Sequence, residues 1–487
     1  MGLDMVIARN IAAHYGLGDS DQEAEMFRIC WKMRKEADEY ARARADEIDA
    51  EIAKGFDHFV RAVHGKPASA KGHALVKRLP VQGRYVVFSD HHWAFDGHRQ
   101  NFFLKSGNQA LYCDLLASYL ARGYTLVENG DVEELLVMEP TLAEVRRREG
   151  MNWAELREHR LGYRLAEAKR ILGDAANAAL YARLAEFHAA GRYVKIAGNH
   201  DTDLQRDDCL ALLRERFPDI DPPYDYLFLE GEGAGNGARP VRWAVMHGHQ
   251  FDVSTNPRFA PYIGELISET VSWAYQGADR VWRWNDQVRE WATGALPFRN
   301  SLVTDDYDHR RCPVFDTISA ALGVLHRAEG WEGVFKHKIA WEYFENTDPQ
   351  KAFRLEVKTG DEFFKFRHLD ERFVRHQLLA KFSSAERPRL VLGHSHEVRF
   401  HATDAEHRPQ ATFEPYYNSG AAGRFENLIW GLEIEDGTPR LVGWSRPDDG
   451  HGKPNRQAPP ERRVYRNEER PEGNRLFASA EPMPLPR

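Results

Sequence analysis

The stretch that decides the fold is a short β-rich run leading into ligand-type side chains, Tyr193-Val194-Lys195-Ile196-Ala197 followed by Gly198-Asn199-His200-Asp201. Four other runs share this layout. They are Tyr85 to Phe88 before Ser89-Asp90, Tyr124 to Val127 before Asn129-Gly130-Asp131, Val241 to Met246 before His247, and Arg389 to Leu392 before Gly393-His394-Ser395-His396. Loops that leave the carboxyl ends of strands collect at one edge of an α/β sheet, where ligands bind. The layout predicts an α/β fold with a single site at its strand ends.

The polar residues at these strand ends form a donor set suited to a pair of divalent metals. Such a pair needs a carboxylate that bridges the ions, with imidazole nitrogens and oxygen donors in the other positions. Gly130-Asp131 supplies the natural bridge, because glycine lets the backbone pass close to the ions and aspartate offers two oxygens. The other candidate ligands are Asp90, His92, Asn199, His247, His394 and His396.

Each motif has an ordinary explanation when taken alone. Asp90-His91-His92 is a common loop sequence, Gly130-Asp131 is a common turn dipeptide, and a single His247 more often serves as a core or capping residue. Gly198-Asn199-His200-Asp201 and Gly393-His394-Ser395-His396 are more specific, since each follows an apolar run. All five motifs in one chain leave chance little room.

The order DxH, GDxxE, GNHD, H and GHxH is similar to the signature of the calcineurin-like metallophosphoesterase superfamily. The resemblance covers roughly residues 84–250 and 388–445. It implies a metallophosphoesterase-type β-sandwich flanked by helices, with large helical insertions. It also implies two divalent metal ions, and the mixed nitrogen and oxygen ligands suit manganese, iron or zinc, with manganese favoured. Carried over, Asp90, His92, Asp131 and His396 bind the first metal, and Asp131, Asn199, His247 and His394 bind the second.

The resemblance assigns roles around the metals as well. His200 is expected to stabilise the phosphoryl group or protonate the leaving oxygen, with Asp201 orienting it, which makes both residues catalytic candidates. Glu134, the last residue of GDxxE, is expected to support the ligands without binding metal. The implied reaction is in-line attack on phosphorus by a hydroxide that bridges the metals, followed by departure of the leaving group with help from His200.

The neighbours of the motifs narrow the branch of the superfamily. Ser/Thr protein phosphatases carry Arg before GNHE and Asp-Arg-Gly after GDxV, whereas this chain has Ala197 and Glu133-Glu134-Leu135 there. The run from His247 to Asp252, together with Asn418-Ser419-Gly420, looks more like the UDP-2,3-diacylglucosamine pyrophosphohydrolase branch. That branch typically has Arg in place of His200, which argues against its lipid substrate.

Residues outside the motifs are weaker candidates. His98 and Arg99 follow the first motif and could reach a phosphate, although solvated loop residues are the more frequent explanation. His249 and Asp252 follow His247 and could fix its imidazole, with capping and turn roles equally open.

Composition bounds the partners and the location. The 487 residues carry a net charge of −8 and give a pI of about 6.3, so the chain lacks the basic field that generic nucleic-acid binding requires. The four cysteines form no CxxC pair, and neither a signal sequence nor a membrane span can be recognised, which predicts a cytoplasmic location. Trp284 and Trp291 share a helical face that could contact a membrane surface, but packing against the protein is favoured.

The rest of the sequence divides into three parts. Residues 1–80 predict a helical N-terminal extension, and residues 81–446 the metallophosphoesterase domain, with helical insertions at about 135–190 and 254–388. Residues 447–487 are rich in Pro, Arg and Glu and predict a disordered tail. Glu435-Asp436-Gly437-Thr438 predicts a hairpin turn between the last two strands of the domain.

Three functions remain open on the sequence. The leading one is a metal-dependent phosphoesterase that hydrolyses a small phosphate ester, diester or pyrophosphate. A nuclease or nucleic-acid phosphatase would need a basic strip, for which Arg146 to Arg148, Arg310-Arg311 and Arg372 are candidates, and the acidic balance argues against it. A non-catalytic metal-binding scaffold is less favoured, because every ligand position is filled and His200 is present. The substrate and the oligomeric state do not follow from the sequence.

Overall fold

A computed structural model describes most of the chain outside residues 1–44 and 252–380. The described residues are 45–66, 74–98, 101–105, 107–136, 142–232, 240–251, 381–383, 386–394, 398–400, 416–423, 427–447, 449, 454–467 and 481–482. The chain divides into two compact units. The larger unit comprises Asp49–Leu136, Tyr163–Asn256 and Leu369–Arg487 and contains all the described strands; the smaller comprises Met1–Ile48, Val137–Gly162 and Pro257–His368, and its described part is helical.

The described residues form thirteen strands in two sheets. In chain order the strands are β1 (Val76–Pro80), β2 (Arg84–Phe88), β3 (Thr125–Asn129), β4 (Tyr193–Ile196), β5 (Tyr226–Glu230), β6 (Val241–Val245), β7 (Arg389–Leu392), β8 (Val398–Phe400), β9 (Tyr416–Ser419), β10 (Ile429–Glu435), β11 (Thr438–Ser445), β12 (Glu461–Asn467) and β13 (Glu481–Pro482). One sheet has the order β13-β12-β11-β10-β2-β3-β4, and the other has the order β1-β5-β6-β7-β9-β8.

Both sheets combine parallel and antiparallel pairs. In the seven-stranded sheet, β2, β3 and β4 are parallel neighbours and β10 runs antiparallel to β2. In the six-stranded sheet, β6, β7 and β9 are parallel neighbours, while β5 runs antiparallel to β6. The α/β class predicted from the sequence is confirmed at this level.

The two sheets share a hydrophobic core between them. Val87 and Val127 of the seven-stranded sheet belong to the same buried cluster as Leu227 and Val245 of the six-stranded sheet. Side chains alternate along a strand, so the neighbouring Val86 points to the opposite face, where it joins a second buried cluster. A strand that is buried on both faces reads as a continuous apolar run. This double burial explains why Tyr85 to Phe88 in β2 is an uninterrupted apolar run.

Helices cover the outer faces of both sheets. The described α-helices are α1 (Ala45–Val63), α2 (Phe102–Lys105), α3 (Asn108–Ala121), α4 (Leu142–Glu149), α5 (Trp153–Gly173), α6 (Ala178–Ala189) and α7 (Asp207–Arg216). Leu115 of α3, Leu184 of α6 and Leu213 of α7 belong to the cluster on the outer face of the seven-stranded sheet. On the six-stranded sheet, the Phe59 ring of α1 lies 5.5 Å from Tyr226 and 6.1 Å from Phe228.

Several features of the predicted organisation can be compared with the structure. Helices α4, α5 and α6 lie in the interval assigned to the first helical insertion. The predicted hairpin is confirmed, because β10 and β11 pair from Glu435 to Thr438 across Asp436 and Gly437, whose φ angles are 48° and 83°. Positive φ at both central residues is the requirement of the tight hairpin turn that suits twisted strands. Of the second insertion only residues 381–383 and 386–388 are described, and Trp284 and Trp291 lie outside the described residues.

Two predicted boundaries were wrong: the end of the N-terminal helical extension and the start of the disordered tail. Strand β1 falls inside the range predicted as a helical extension, and it pairs with β5 about 150 residues away, as in the register Val76↔Tyr226. Strand β12 falls inside the predicted disordered tail, where it pairs with β11 and its Arg462 Nε donates to the buried Glu433 carboxylate at 2.9 Å. The composition of this segment suggested disorder, because composition alone cannot show that Arg462 forms an ion pair with Glu433 of another strand.

We expect Phe59→Ala to destabilise the larger unit, because the ring is fully buried between α1 and the six-stranded sheet. Replacing a buried Phe by Ala costs about 3–5 kcal/mol through lost burial and the remaining cavity. Urea denaturation of the full chain measures this loss in the free energy of unfolding. Lys54→Ala, on the exposed side of the same helix, is the control and should change little. Equal stability of the two variants would contradict the packing of α1 on the sheet.

Candidate metal centre

The residues singled out from the sequence follow strands of both sheets. Asp90, Asp131 and Asn199 follow β2, β3 and β4 of the seven-stranded sheet, and His247 and His394 follow β6 and β7 of the six-stranded sheet. The expectation of a single sheet edge was therefore too simple. The strand ends of two facing sheets contribute the candidate ligands, and the sandwich core holds those ends against each other.

Backbone hydrogen bonds continue the parallel pairing beyond the strands. His92 N donates to Asp131 O at 3.0 Å, and Trp93 N donates to Val132 O at 3.0 Å. On the other sheet, Gly393 N donates to His247 O at 3.0 Å. The loops that carry the ligand candidates are therefore fixed side by side in pairs.

Four of the candidate ligands have a left-handed backbone conformation. The φ angles are 55° at Asp90, 49° at His92, 52° at Asp131 and 67° at His394. Such conformations cost about 1–3 kcal/mol each for residues other than glycine, and they persist where the surrounding structure imposes them. Strain of this kind clusters at functional sites, and here it turns each chain sharply as it leaves its strand.

The motif glycines make room for the ligands. A Cβ atom on Gly130 would lie 2.5 Å from His247 Nδ1, and one on Gly198 would collide with the backbone nitrogen and carboxylate of Asp131. A Cβ on Gly393 would collide with Ser89 Oγ and lie 3.0 Å from the Asp90 carboxylate. Only glycine lets these loops approach so closely, which is the physical reason for glycine before Asp131, Asn199 and His394.

The Asp131 carboxylate belongs to two groups of candidate ligand atoms. Single donor atoms of His92, Asp131 and His200 all lie within 4.8 Å of one another, and so do those of Asp131, His247 and His394. His247 Nε2 is 3.1 Å from Asp131 Oδ2, whereas the corresponding distances are 3.9 Å for His92 Nε2 and 3.8 Å for His200 Nε2. The arrangement places one buried carboxylate between two sets of imidazoles.

The orientation of His247 is set by the backbone of the other sheet. Its Nδ1 donates to the Asn129 carbonyl oxygen at 2.8 Å, which leaves Nε2 facing Asp131. The Asn129 amide also donates to the Met246 carbonyl oxygen at 3.1 Å, so this residue joins the two sheets beneath the site. The His249 ring packs against the His247 ring, with centroids 5.6 Å apart. The sequence suggested His249 as the residue that fixes His247, and the Asn129 carbonyl has that position instead.

Glu134 connects a candidate ligand to the candidate catalytic histidine. Its buried carboxylate lies 2.9 Å from His92 Nδ1 and 2.7 Å from His200 Nδ1. Burial alone would raise the pKa of Glu134, but His200 and His92 hold that pKa well below its usual range. The carboxylate therefore stays charged and directs the Nε2 atoms of both rings away from itself.

Asp201 has a different position from the one expected. Its carboxylate accepts hydrogen bonds from Gly198 N at 2.6 Å and Val132 N at 2.9 Å, and it has no contact with the His200 imidazole. The expectation that Asp201 orients His200 was wrong, because its side chain turns towards the backbone of two loops. Glu134 contacts His200 instead.

The buried donors fit metal ions. Asn199 Oδ1 is buried and accepts no hydrogen bond from the described residues, as expected of an amide oxygen that binds a cation. Burial would lower the pKa of His247, but Asp131 raises it to about 9; in the same way Glu134 and Asp131 overcome burial at His92 and raise its pKa to about 9. The carboxylates thus attract positive charge, and a bound metal would replace those protons, since ligating imidazoles must be neutral.

Of the candidates still to be placed, the structure describes His98 and leaves three others outside its described residues. His98 is fully buried, with its ring 5.0 Å from Phe95 and its Nε2 3.9 Å from Glu167 Oε1. A solvated His98 is therefore excluded, and a buried carboxylate lies near its imidazole. The candidates His396, Arg99 and Asp252 lie outside the described residues.

Sequence reasoning missed residues that hold the ligand loops from behind. Ser89 Oγ donates to the Asp90 carboxylate, and Asn418 Nδ2 donates to the Gly393 carbonyl oxygen at 3.0 Å. The signal for Ser89 was its place in the strand-end motif, and Asn418 had been noted only as part of a branch likeness. The role of Asn418 is not encoded in spacing, since it depends on a backbone atom of another loop.

Comparison with known proteins adds no relative: no protein-family model, curated protein or solved structure matches this chain. The donor atoms themselves carry the functional inference. They are imidazole nitrogens with carboxylate and amide oxygens, and no cysteine is among them. This mixture suits manganese, iron or zinc.

We expect Gly198→Ala to abolish tight manganese binding, because the new methyl group would occupy the position of the Asp131 carboxylate. Isothermal titration calorimetry with MnCl₂ on the full chain measures the affinity, and circular dichroism verifies folding. Gly162→Ala is the matched control, since nothing lies within 4 Å of its Cβ and alanine favours helix by up to about 1 kcal/mol. Wild-type affinity in Gly198→Ala would show that the glycine is not needed for the site.

Proposed function

We propose that the protein is a metal-dependent phosphoesterase of the metallophosphoesterase type, with two divalent metals, manganese favoured, held between its two sheets. The observation that carries the proposal is the position of Asp131, which lies in one group with His92 and in a second group with His247 and His394. His200 also lies in the first group, and we assign it to proton transfer rather than to the metal. A carboxylate shared by two groups of ligands is the arrangement that a binuclear centre needs. The sandwich with helices on both outer faces agrees with the fold that the motif resemblance implies.

We assign the described residues to the two proposed metals as the resemblance suggests. Asp90, His92 and Asp131 serve the first metal, together with His396 from outside the described residues. Asp131, Asn199, His247 and His394 serve the second. The His394 ring lies 5.2 Å from the His247 ring, and the His394 backbone nitrogen donates to both Asp90 carboxylate oxygens at 3.2 Å. That hydrogen bond ties a ligand loop of one sheet to a ligand of the other.

The chemistry proposed is hydrolysis of a phosphate ester, diester or pyrophosphate. When bound, the metals would supply Lewis acidity, which polarises a phosphoryl oxygen and acidifies water near neutral pH. The protein's part is to hold His200 with Nδ1 on Glu134 and Nε2 towards Asp131, so that Nε2 can carry a proton to the leaving oxygen. The Glu134 carboxylate, which faces Nδ1, holds the ring in this orientation.

The substrate class is a small phosphorylated molecule. The acidic net charge argues against generic nucleic-acid binding, so a nuclease stays the second choice. The cytoplasmic location also stays a prediction from the sequence. None of the described helices is both long and apolar enough to cross a membrane.

We expect Asp131→Ala to lose both manganese binding and hydrolysis of bis(p-nitrophenyl) phosphate or p-nitrophenyl phosphate, because the shared carboxylate serves both metals. His200→Asn should keep two manganese ions and lose most of the turnover, because it removes the proton donor alone. Metal analysis after desalting and steady-state kinetics measure the two effects. Asp207→Ala, an exposed aspartate on α7, is the control and should behave like wild type.

Two outcomes would contradict the proposal in different ways. Hydrolysis by Asp131→Ala at the wild-type rate would place the reaction elsewhere. Two bound manganese ions in the wild type with no turnover of any phosphorylated metabolite in a broad screen would favour the non-catalytic scaffold.

Glu134→Gln should lower kcat by about 10- to 100-fold, the range found when carboxylates that orient metal-bound histidines are changed. Glutamine keeps the size but removes the charge that both imidazoles face. The control is Glu186→Gln, an exposed residue of α6 whose partner is Arg183. An unchanged kcat in Glu134→Gln would show that the contact with His200 has no part in turnover.

A further inference from the structure

A buried cluster of charged residues lies directly behind the ligand loops. Lys195 Nζ is 2.7 Å from Glu133, 3.8 Å from Glu128 and 3.8 Å from Asp201, and the four side chains are almost completely excluded from solvent. Neither the motifs nor the proposed reaction accounts for this cluster. One ammonium group faces three carboxylates, and burying these charges costs free energy that their mutual attraction has to offset.

The strands bring the cluster together. Lys195 of β4 is the register partner of Glu128 of β3. Val194 and Ile196, the neighbours of Lys195, point into the core between the sheets, so Lys195 points to the opposite face, under the helices. A lysine and a glutamate thus sit side by side near the carboxyl ends of two strands that continue into ligand loops. Tyr193 and Tyr112 donate hydrogen bonds to Glu128, which anchors it to the strand side of the cluster.

The other two carboxylates belong to the ligand loops. Asp201 accepts from Val132 N and Gly198 N, which are the neighbours of Asp131 and Asn199 in the chain. The Glu133 carboxylate accepts hydrogen bonds from Lys195 at 2.7 Å and from Tyr181 at 3.4 Å. The Glu133 backbone forms a β-bridge with that of Trp93, the neighbour of His92. The cluster therefore touches the three loops that carry His92, Asp131 and Asn199.

We infer that Lys195 is a positioning residue of the metal centre: its ammonium group holds Glu133 and Asp201 together and thereby sets the spacing between the loops of Asp131 and Asn199. Without this cation, two buried carboxylates would repel each other, and Asp201 would be pushed from the backbone donors that join the loops. The inference rests on the proposed metal centre and adds a residue that touches neither metal nor substrate.

The charges within the cluster agree with this role. Burial would lower the pKa of Lys195, but Glu133, Glu128 and Asp201 raise it, so the ammonium group stays charged. Burial raises the pKa of Glu128 to about 7, in spite of Lys195 nearby. Among the three carboxylates, Glu128 is the one that contacts no ligand loop, so it can be replaced without disturbing those loops.

This difference between the carboxylates provides the test. Three variants of the full chain are compared with wild type: Lys195→Met, Glu128→Gln, and the double variant, which restores the charge balance without restoring the link between Glu133 and Asp201. Manganese affinity is measured by calorimetry and by electron paramagnetic resonance of free Mn²⁺. Thermal unfolding in EDTA measures stability apart from metal.

We expect Glu128→Gln to bind manganese like wild type. The double variant should fold, with a melting temperature closer to wild type than that of Lys195→Met, and yet bind manganese about 10- to 100-fold more weakly. At saturating manganese its kcat should return towards the wild-type value, because every ligand and His200 are still present. A loss confined to metal affinity distinguishes positioning from a general loss of stability.

Each other outcome decides against the inference. Wild-type manganese affinity in Lys195→Met or in the double variant would reduce Lys195 to charge balance alone. If Lys195→Met does not fold, the double variant decides, and its own failure to fold would contradict the assignment of Glu128 as the dispensable charge. A wild-type protein without manganese binding would instead overturn the metal centre, and this role with it.

Discussion

Asp131 lies where the strand ends of two facing sheets meet, and its carboxylate must stay within reach of His247 from one sheet and of His92 and His200 from the other. This single constraint accounts for much of the surrounding structure. The left-handed backbone at Asp131 turns the side chain inward, and Gly130 and Gly198 leave the space that the turn needs. The hydrogen bonds of Asn129 across to the other sheet then fix the distance between the two halves of the site. A change in that distance would move His247 relative to both His92 and His200.

A second level of support lies behind the ligands. Glu134 orients two imidazoles from the side, and Asp201 joins two loops through their backbone nitrogens. Lys195 lies below both acidic loops and compensates them. A dense set of buried charges is costly unless each is paired. These paired charges connect the buried strands to the loops of the candidate ligands, so the packed core restricts the movement of those loops.

The convergence of the strand-end residues could be predicted because loops that leave neighbouring strand ends must lie close together. Asp131, Asn199 and His247 were found from a β-rich run followed by a polar donor, and the hairpin from an Asp436-Gly437 pair between two strands, which suits the positive φ that this turn requires. What the sequence does not encode is partnership between distant segments. β1 pairs with a strand far along the chain, and β6 and β7 enter a different sheet from β2 although their motifs look alike. The motif resemblance also suggested that Asp201 orients His200, whereas the structure places that carboxylate against the backbone and Glu134 against the ring.

Strand β12 has a consequence for how this protein stays separate from its neighbours. By pairing with β11, it covers backbone groups that would otherwise form the open border of the seven-stranded sheet beside the buried Trp444. An open border of that kind invites strands of other molecules to add to the sheet and start aggregates, and proteins commonly guard against it with charged residues. The two-residue strand β13 pairs with β12 only at Glu461 and Arg462, and the partly exposed Glu461 and Arg463 bring charges to this border. The composition that suggested an unstructured tail is thus well suited to a strand near the border of a sheet.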